Sequence, residues 1–98
     1  MLSERARMRR SKLETYEDII SSLEENALTI DDIAFECNMD CVNLKQRLDF
    51  LMENNIVEIE ISDDNRSFYV LTRRGIAISK TLILAKKLEK LQTTKTNY

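Results

Sequence analysis

The residues of this chain best suited to chemistry lie in one short stretch: Asn43, Gln46 and Arg47, with Lys45 among them. A carboxamide can donate and accept at once on the edge of an adenine, and a guanidinium fork fits guanine. Phosphate contacts would position such readers. The same residues would serve equally well as the solvated side of a surface helix, and their types alone do not choose. Arg66 sits in a polar turn, where it could enter a minor groove or touch a phosphate, or simply be solvated beside Asp63 and Asp64. Arg73 and Arg74 open a helix, where the dipole disfavours cations. They call for an external anion or an acidic neighbour.

Other constellations fall away on inspection. Asp31, Asp32, Glu58 and Glu60 could suggest a catalytic pair, but the chain has no His, no Gly-rich phosphate loop and no nucleophile with a base. A solvated face is the better reading, so no catalytic residue, no enzyme activity and no cofactor are expected. Asp63-Asp64-Asn65 lacks the further oxygens and the Gly of a calcium loop. Cys37 and Cys41 are four apart, but a helix break is expected between them, and without His a metal site would need carboxylates or a partner chain. They are read as two small apolar residues beside the break, with no metal.

The elements that must position the polar stretch follow from periodicity. Ile30, Ile33, Ala34 and Cys37 repeat at helical spacing. Thr29 and Asp32 fit a capping box in front of them. Asn38 tolerates the left-handed conformation that ends many helices, and Asp40 is a good N-cap for the next. That next helix carries Leu44, Leu48 and Leu51 on one face, with Val42 and Met52 beside it. Two short helices with a tight break suit a helix-turn-helix, although any small bundle could hold such a hairpin. Upstream, Leu13, Tyr16, Ile20, Leu23 and Ala27, with Ile19, predict an amphipathic helix from Ser11 to near Asn26, and no strand of useful length fits between it and Thr29. Downstream, Glu53-Asn54-Asn55 stops the helix. Alternation then predicts a strand with Val57, Ile59 and Ile61 on one face, a turn over 62–66, and a second strand over 67–71. Thr72 caps a last helix from Arg73 to about Leu91, with the costly Gly75 in its first turn. Its stripe is Ala77, Thr81, Leu84, Leu88 and Leu91, widened by Ile78, Leu82 and Ala85.

Helix, helix, helix, strand, turn, strand and long helix is the order of a winged helix-turn-helix: mainly α with one β-hairpin. The expected division is a basic segment over 1–10, a winged helix-turn-helix over 11–72, a coiled-coil dimerisation helix over 73–92 and a tail over 93–98. The last helix is too long for one small core, and beyond Leu82 its apolar face needs a partner. A second copy is the simplest one, which predicts a homodimer joined through Ala77, Thr81, Leu84, Ala85, Leu88 and Leu91.

Composition agrees with helices: 98 residues, one Gly and no Pro. No apolar run is long enough for a membrane span, and MLSERARMRR has no apolar stretch behind it, so no secretory signal is read. The cytoplasm is the expected location. The net charge of −2 conceals segregation. Residues 1–12 carry five bases against Glu4, residues 13–65 carry Lys45 and Arg47 against fifteen acids, and residues 66–98 carry eight bases against Glu89. Basic ends could contact phosphate or neutralise the acidic middle.

Several stretches together resemble the small archaeal winged-helix DNA-binding proteins of about ten kilodaltons and the related archaeal regulators. They are Arg9-Arg10-Ser11-Lys12-Leu13-Glu14, Cys37-Asn38-Met39-Asp40, Leu44 to Leu51, Glu53-Asn54-Asn55-Ile56-Val57-Glu58 and Tyr69-Val70-Leu71-Thr72-Arg73-Arg74-Gly75. The resemblance implies a dimer, joined by a C-terminal antiparallel coiled coil, on double-stranded DNA. It implies phosphate contacts from Arg9, Arg10 and Lys12, groove contacts from Asn43, Lys45, Gln46 and Arg47, and wing contacts from Asn65, Arg66 and Ser67. Asp40 stands where family members often have Ser, Cys41 where an aromatic is common, and Glu36 where a base is common. Each departure removes positive charge or stacking surface near the expected DNA face. The expected function is a transcriptional regulator or a chromatin-type architectural protein, nucleoid-associated if it binds DNA. The alternative is a winged-helix protein-interaction module that has lost DNA binding.

Overall fold

A computed structural model describes residues 11–95, with side chains to residue 91. The order is α1 (Lys12–Ser22), α2 (Ile30–Cys37), α3 (Cys41–Glu53), β1 (Val57–Ile61), β2 (Ser67–Leu71) and α4 (Arg73–Lys95).

Local chemistry sets each boundary. Ser11 and Glu14 form a complete capping box on α1: the Glu14 N–H donates to Ser11 Oγ, and the Ser11 N–H donates to Glu14 Oε1, both at 3.1 Å. Thr29 Oγ1 accepts the Asp32 N–H at 3.2 Å and opens α2. Asn38 ends α2 at φ 55°, in the left-handed region. Asp40 Oδ1 accepts the Asn43 N–H at 2.8 Å and opens α3. Asn54 closes α3, and Asn55, at φ 61°, turns the chain toward β1.

One core joins these elements. Ile19, Ile20, Leu23, Ile33, Cys37, Leu44, Leu48, Leu51, Val57 and Tyr69 are buried together. The strands pair antiparallel, with Val57 opposite Leu71 and Ile61 opposite Ser67. The wing is therefore clamped to the helices at one end only. Of the three residues expected on one face of β1, Val57 is buried, while Ile59 and Ile61 are exposed because the hairpin projects beyond the core.

One boundary is corrected. Helix α1 ends at Ser22, four residues before Asn26, because Leu23 turns into the core. The segment after it forms no strand and meets the sheet at one residue: Leu28 and Tyr69 exchange backbone hydrogen bonds of 3.1 and 2.7 Å, an isolated bridge on the free edge of β2.

Helix α4 starts against the α3–β1 connection. Thr72 Oγ1 donates to the Asn55 carbonyl at 2.6 Å and accepts the Gly75 N–H at 3.0 Å. Gly75 is required there: a Cβ would stand 2.1 Å from the Ile56 carbonyl oxygen. One turn further on, buried Ser79 donates to Glu24 Oε2 at 2.6 Å, tying α4 to the segment that follows α1. Gly75, Ile78, Ser79 and Leu82 thus face the body. Beyond Leu82 the helix carries on through Lys95, past the expected Leu91, with no Gly or Pro to stop it. At about 1.5 Å per residue its 23 residues span roughly 34 Å.

Candidate nucleic-acid interface

Helix α3 buries Leu44, Leu48 and Leu51. The helical period then fixes what points the other way: Val42 and Gln46, one turn apart, followed by Asp49 and Glu53. Val42, expected beside the apolar face, is instead 72% exposed. Its signal was present in the sequence, since Val42 falls opposite the three leucines on a helical wheel.

The polar residues expected to act on α3 divide by what they touch. Asn43 is exposed, but its amide donates to Asp40 Oδ2 at 2.7 Å, so it braces the cap. Lys45 is exposed and paired with Asp49 at 2.9 Å. Arg47 is half-buried and turns toward α1, its guanidinium 5.8 Å from the Tyr16 ring centre, while Tyr16 packs on Phe50 at 5.1 Å. Gln46 is exposed, with no hydrogen bond recorded to another described residue.

The flanking candidates lie on α1 and on the wing. Lys12 is exposed at the first residue of α1, whereas Arg9 and Arg10 lie outside the described residues. At the wing tip, Asn65 adopts φ 66°, and the Arg66 guanidinium lies 5.3 Å from the Phe68 ring centre. Ser67 is exposed at the start of β2. Ser62 organises the tip: its hydroxyl contacts Asp64 and accepts the Arg66 N–H at 3.2 Å.

The charges of this face are mixed. Helices α2 and α3, with the Asp40 cap, carry Asp31, Asp32, Glu36, Asp40, Asp49 and Glu53 against Lys45 and Arg47. The backbone N–H of Asn43 holds the Asp40 carboxyl below its usual range, so the cap stays charged. The Ser62 hydroxyl does the same for Asp64. The hydrogen bond that the Lys45 ammonium donates to Asp49 raises the Lys45 pKa. Cys41, expected as a small apolar residue, is exposed and donates its S–H to Asp31 Oδ1 at 3.7 Å, while Cys37 is buried. No group of three potential metal ligands occurs among the described residues. Among them also, no helix is long and apolar enough to cross a membrane.

Three helices, a β-hairpin clamped at one end and an outward-facing third helix define a winged helix-turn-helix. The chain belongs to that family, whose sequence pattern it matches over residues 9–93. Similar solved structures agree on the fold. A mutant of Lactococcus lactis ZitR superposes with a TM-score of 0.70 at 18% identity, covering 86% of this chain and 60% of that one. MepR, a transcription regulator of the Staphylococcus aureus multidrug efflux pump MepA, gives 0.72 at 16% identity, covering 83% and 63%. A MarR-family transcriptional regulator from Silicibacter pomeroyi gives 0.70 at 20% identity, covering 85% and 56%. The chain thus spans less than two thirds of the length of these relatives. No curated protein matches it.

Proposed function

We propose that the protein is a homodimeric double-stranded DNA-binding protein, not an enzyme, acting in the cytoplasm as a transcriptional regulator or as an architectural protein of the nucleoid. Residues 11–72 are the reading unit, with α3 in the major groove and the wing on the adjacent one. Asn43, Lys45, Gln46 and Arg47 line the α3 contact. Arg9, Arg10 and Lys12 offer phosphate contacts at the start of α1, and Asn65, Arg66 and Ser67 do so at the wing. The basic segment 1–10 carries four arginines against Glu4, a local positive charge beside the expected phosphate contacts.

The observation that carries the proposal is the second apolar stripe of α4. Leu84, Leu88 and Leu91 are 56%, 54% and 61% exposed, on the side away from the one that Ile78 and Leu82 turn toward the body. Ala77, Thr81 and Ala85 are exposed with them. A rod with one apolar face on its own subunit and another in water is suited to a coiled coil with a second copy, over 73–92. Such a coiled coil holds two α3 helices at a fixed separation, which is what a dimeric DNA reader needs. The archaeal resemblance, which includes an antiparallel pairing of the rods, agrees with this use.

The acidic side chains of α2 and α3 favour a second reading, a protein-interaction module without DNA binding. A titration of labelled duplex at about 50 and about 200 mM salt separates the two. Binding that weakens steeply between those salts supports the DNA reader. No binding at the lower salt, where charge attraction is strongest, supports the module.

A further inference from the structure

The DNA-reading proposal leaves open which bases α3 would choose; the inference here rests on that proposal and names the readers. We infer that Val42 and Gln46 are the base-reading pair, and that the preferred half-site is centred on A·T pairs with a thymine methyl against Val42.

The geometry of α3 singles these two out. Leu44, Leu48 and Leu51 fix the buried side, so the ridge entering a groove is the opposite one, which begins with Val42 and Gln46. Recognition helices reach base edges with their N-terminal residues, and both lie in the first two turns. The C-terminal half of the same ridge carries Asp49 and Glu53, whose carboxylates keep that half away from phosphates. The other polar residues of the helix are held by neighbours. Asn43 is bonded through its backbone N–H and its amide to Asp40, Lys45 is paired with Asp49, and Arg47 lies over Tyr16. Gln46 keeps a free carboxamide, the group that pairs bidentately with N6 and N7 of adenine. Val42 offers two methyl groups to water at 72% exposure, a cost that contact with the thymine C5-methyl would remove. An apolar side chain and an amide one turn apart, with no free guanidinium between them, match an A·T step: the amide pairs donor and acceptor with adenine, but can meet guanine with its NH2 group alone.

The test begins with selection of bound duplexes from a random library by the full chain. Selected sites should share A·T pairs in each half. Replacing their thymines by deoxyuridine removes only the methyl groups and should weaken binding by about fourfold per lost contact. Val42→Ala should remove that uracil sensitivity. Gln46→Ala should weaken binding to the selected site by roughly tenfold or more and leave scrambled duplex unchanged. Both positions are exposed and helical, so alanine is compatible with the fold, and matched melting curves would establish that. Selected sites centred on G·C, equal affinity for thymine and uracil duplexes, or an unaltered preference in both variants would overturn the assignment while leaving DNA binding intact. Failure to bind any duplex would overturn the assignment and the DNA reading together.

Discussion

Replacing Gly75 by Ala probes the joint between helix α4 and the α3–β1 connection. A Cβ at this position would sit 2.1 Å from the Ile56 carbonyl oxygen and 3.2 Å from Leu71 Cδ2. The first of these is backbone, so the clash cannot be relieved by turning a side chain. The same carbonyl accepts the Thr72 N–H at 3.0 Å, and Thr72 Oγ1 in turn holds the Asn55 carbonyl and the Gly75 N–H. Moving α4 outward by more than an ångström would stretch these bonds together. Overpacking costs about 1–3 kcal/mol, and each weakened hydrogen bond about 1 kcal/mol. The gain in helix propensity from Gly to Ala offsets at most about 1 kcal/mol. The net expectation is a loss of about 3–5 kcal/mol, a large share of the roughly 5–15 kcal/mol typical of a domain. Urea unfolding followed by circular dichroism, at matched protein concentration, reads this as a lower midpoint with an unchanged slope. Were Gly75→Ala as stable as the parent, or more so, propensity would have won, and the close approach at Ile56 would not be the reason for this glycine.

Two further perturbations address the rod and the cap. Leu88→Glu places a carboxylate on the outer stripe of α4 and should give a monomer by sedimentation equilibrium at micromolar concentration, with helical content of the body retained; a dimer of unchanged strength would exclude this stripe from the interface. Asp40 accepts the Asn43 N–H in its charged form, which lowers its folded pKa. Its contribution is therefore complete above the unfolded pKa, near 3.9, and is lost as pH falls through the lower folded value. Asp40→Asn should flatten the acid limb of the stability profile relative to the parent, and identical acid limbs would contradict the capping role.

Much of the architecture was readable because it is written in local chemistry. Thr29, Asp40 and Thr72 cap helices, Asn38 ends one, and alternation from Val57 marks a strand, all without reference to the rest of the chain. What escaped depends on how elements meet. The bridge between Leu28 and Tyr69 is a single residue pair and leaves no period to detect. Ile59 and Ile61 alternate like inward residues, yet they lie beyond the reach of a core supplied by short helices. Arg47 looks like a free base reader until α1 crosses α3 and brings Tyr16 beneath it. Gly75 reads as a defect in a helix until Ile56 is seen against it. Val42 is the reverse case, since its outward position follows from the leucine spacing alone.

In the proposed dimer, the polar face of α3 and the apolar stripe of α4 are two halves of one device, because a reader without a fixed spacing has little selectivity. The direct test is sedimentation of a labelled duplex titrated with the protein at about 50 mM salt, repeated near 200 mM. The account predicts a complex carrying two chains of 11.5 kDa per site, dissociating strongly at the higher salt. A duplex that sediments alone at low salt, or that carries a single chain at saturation, would contradict it.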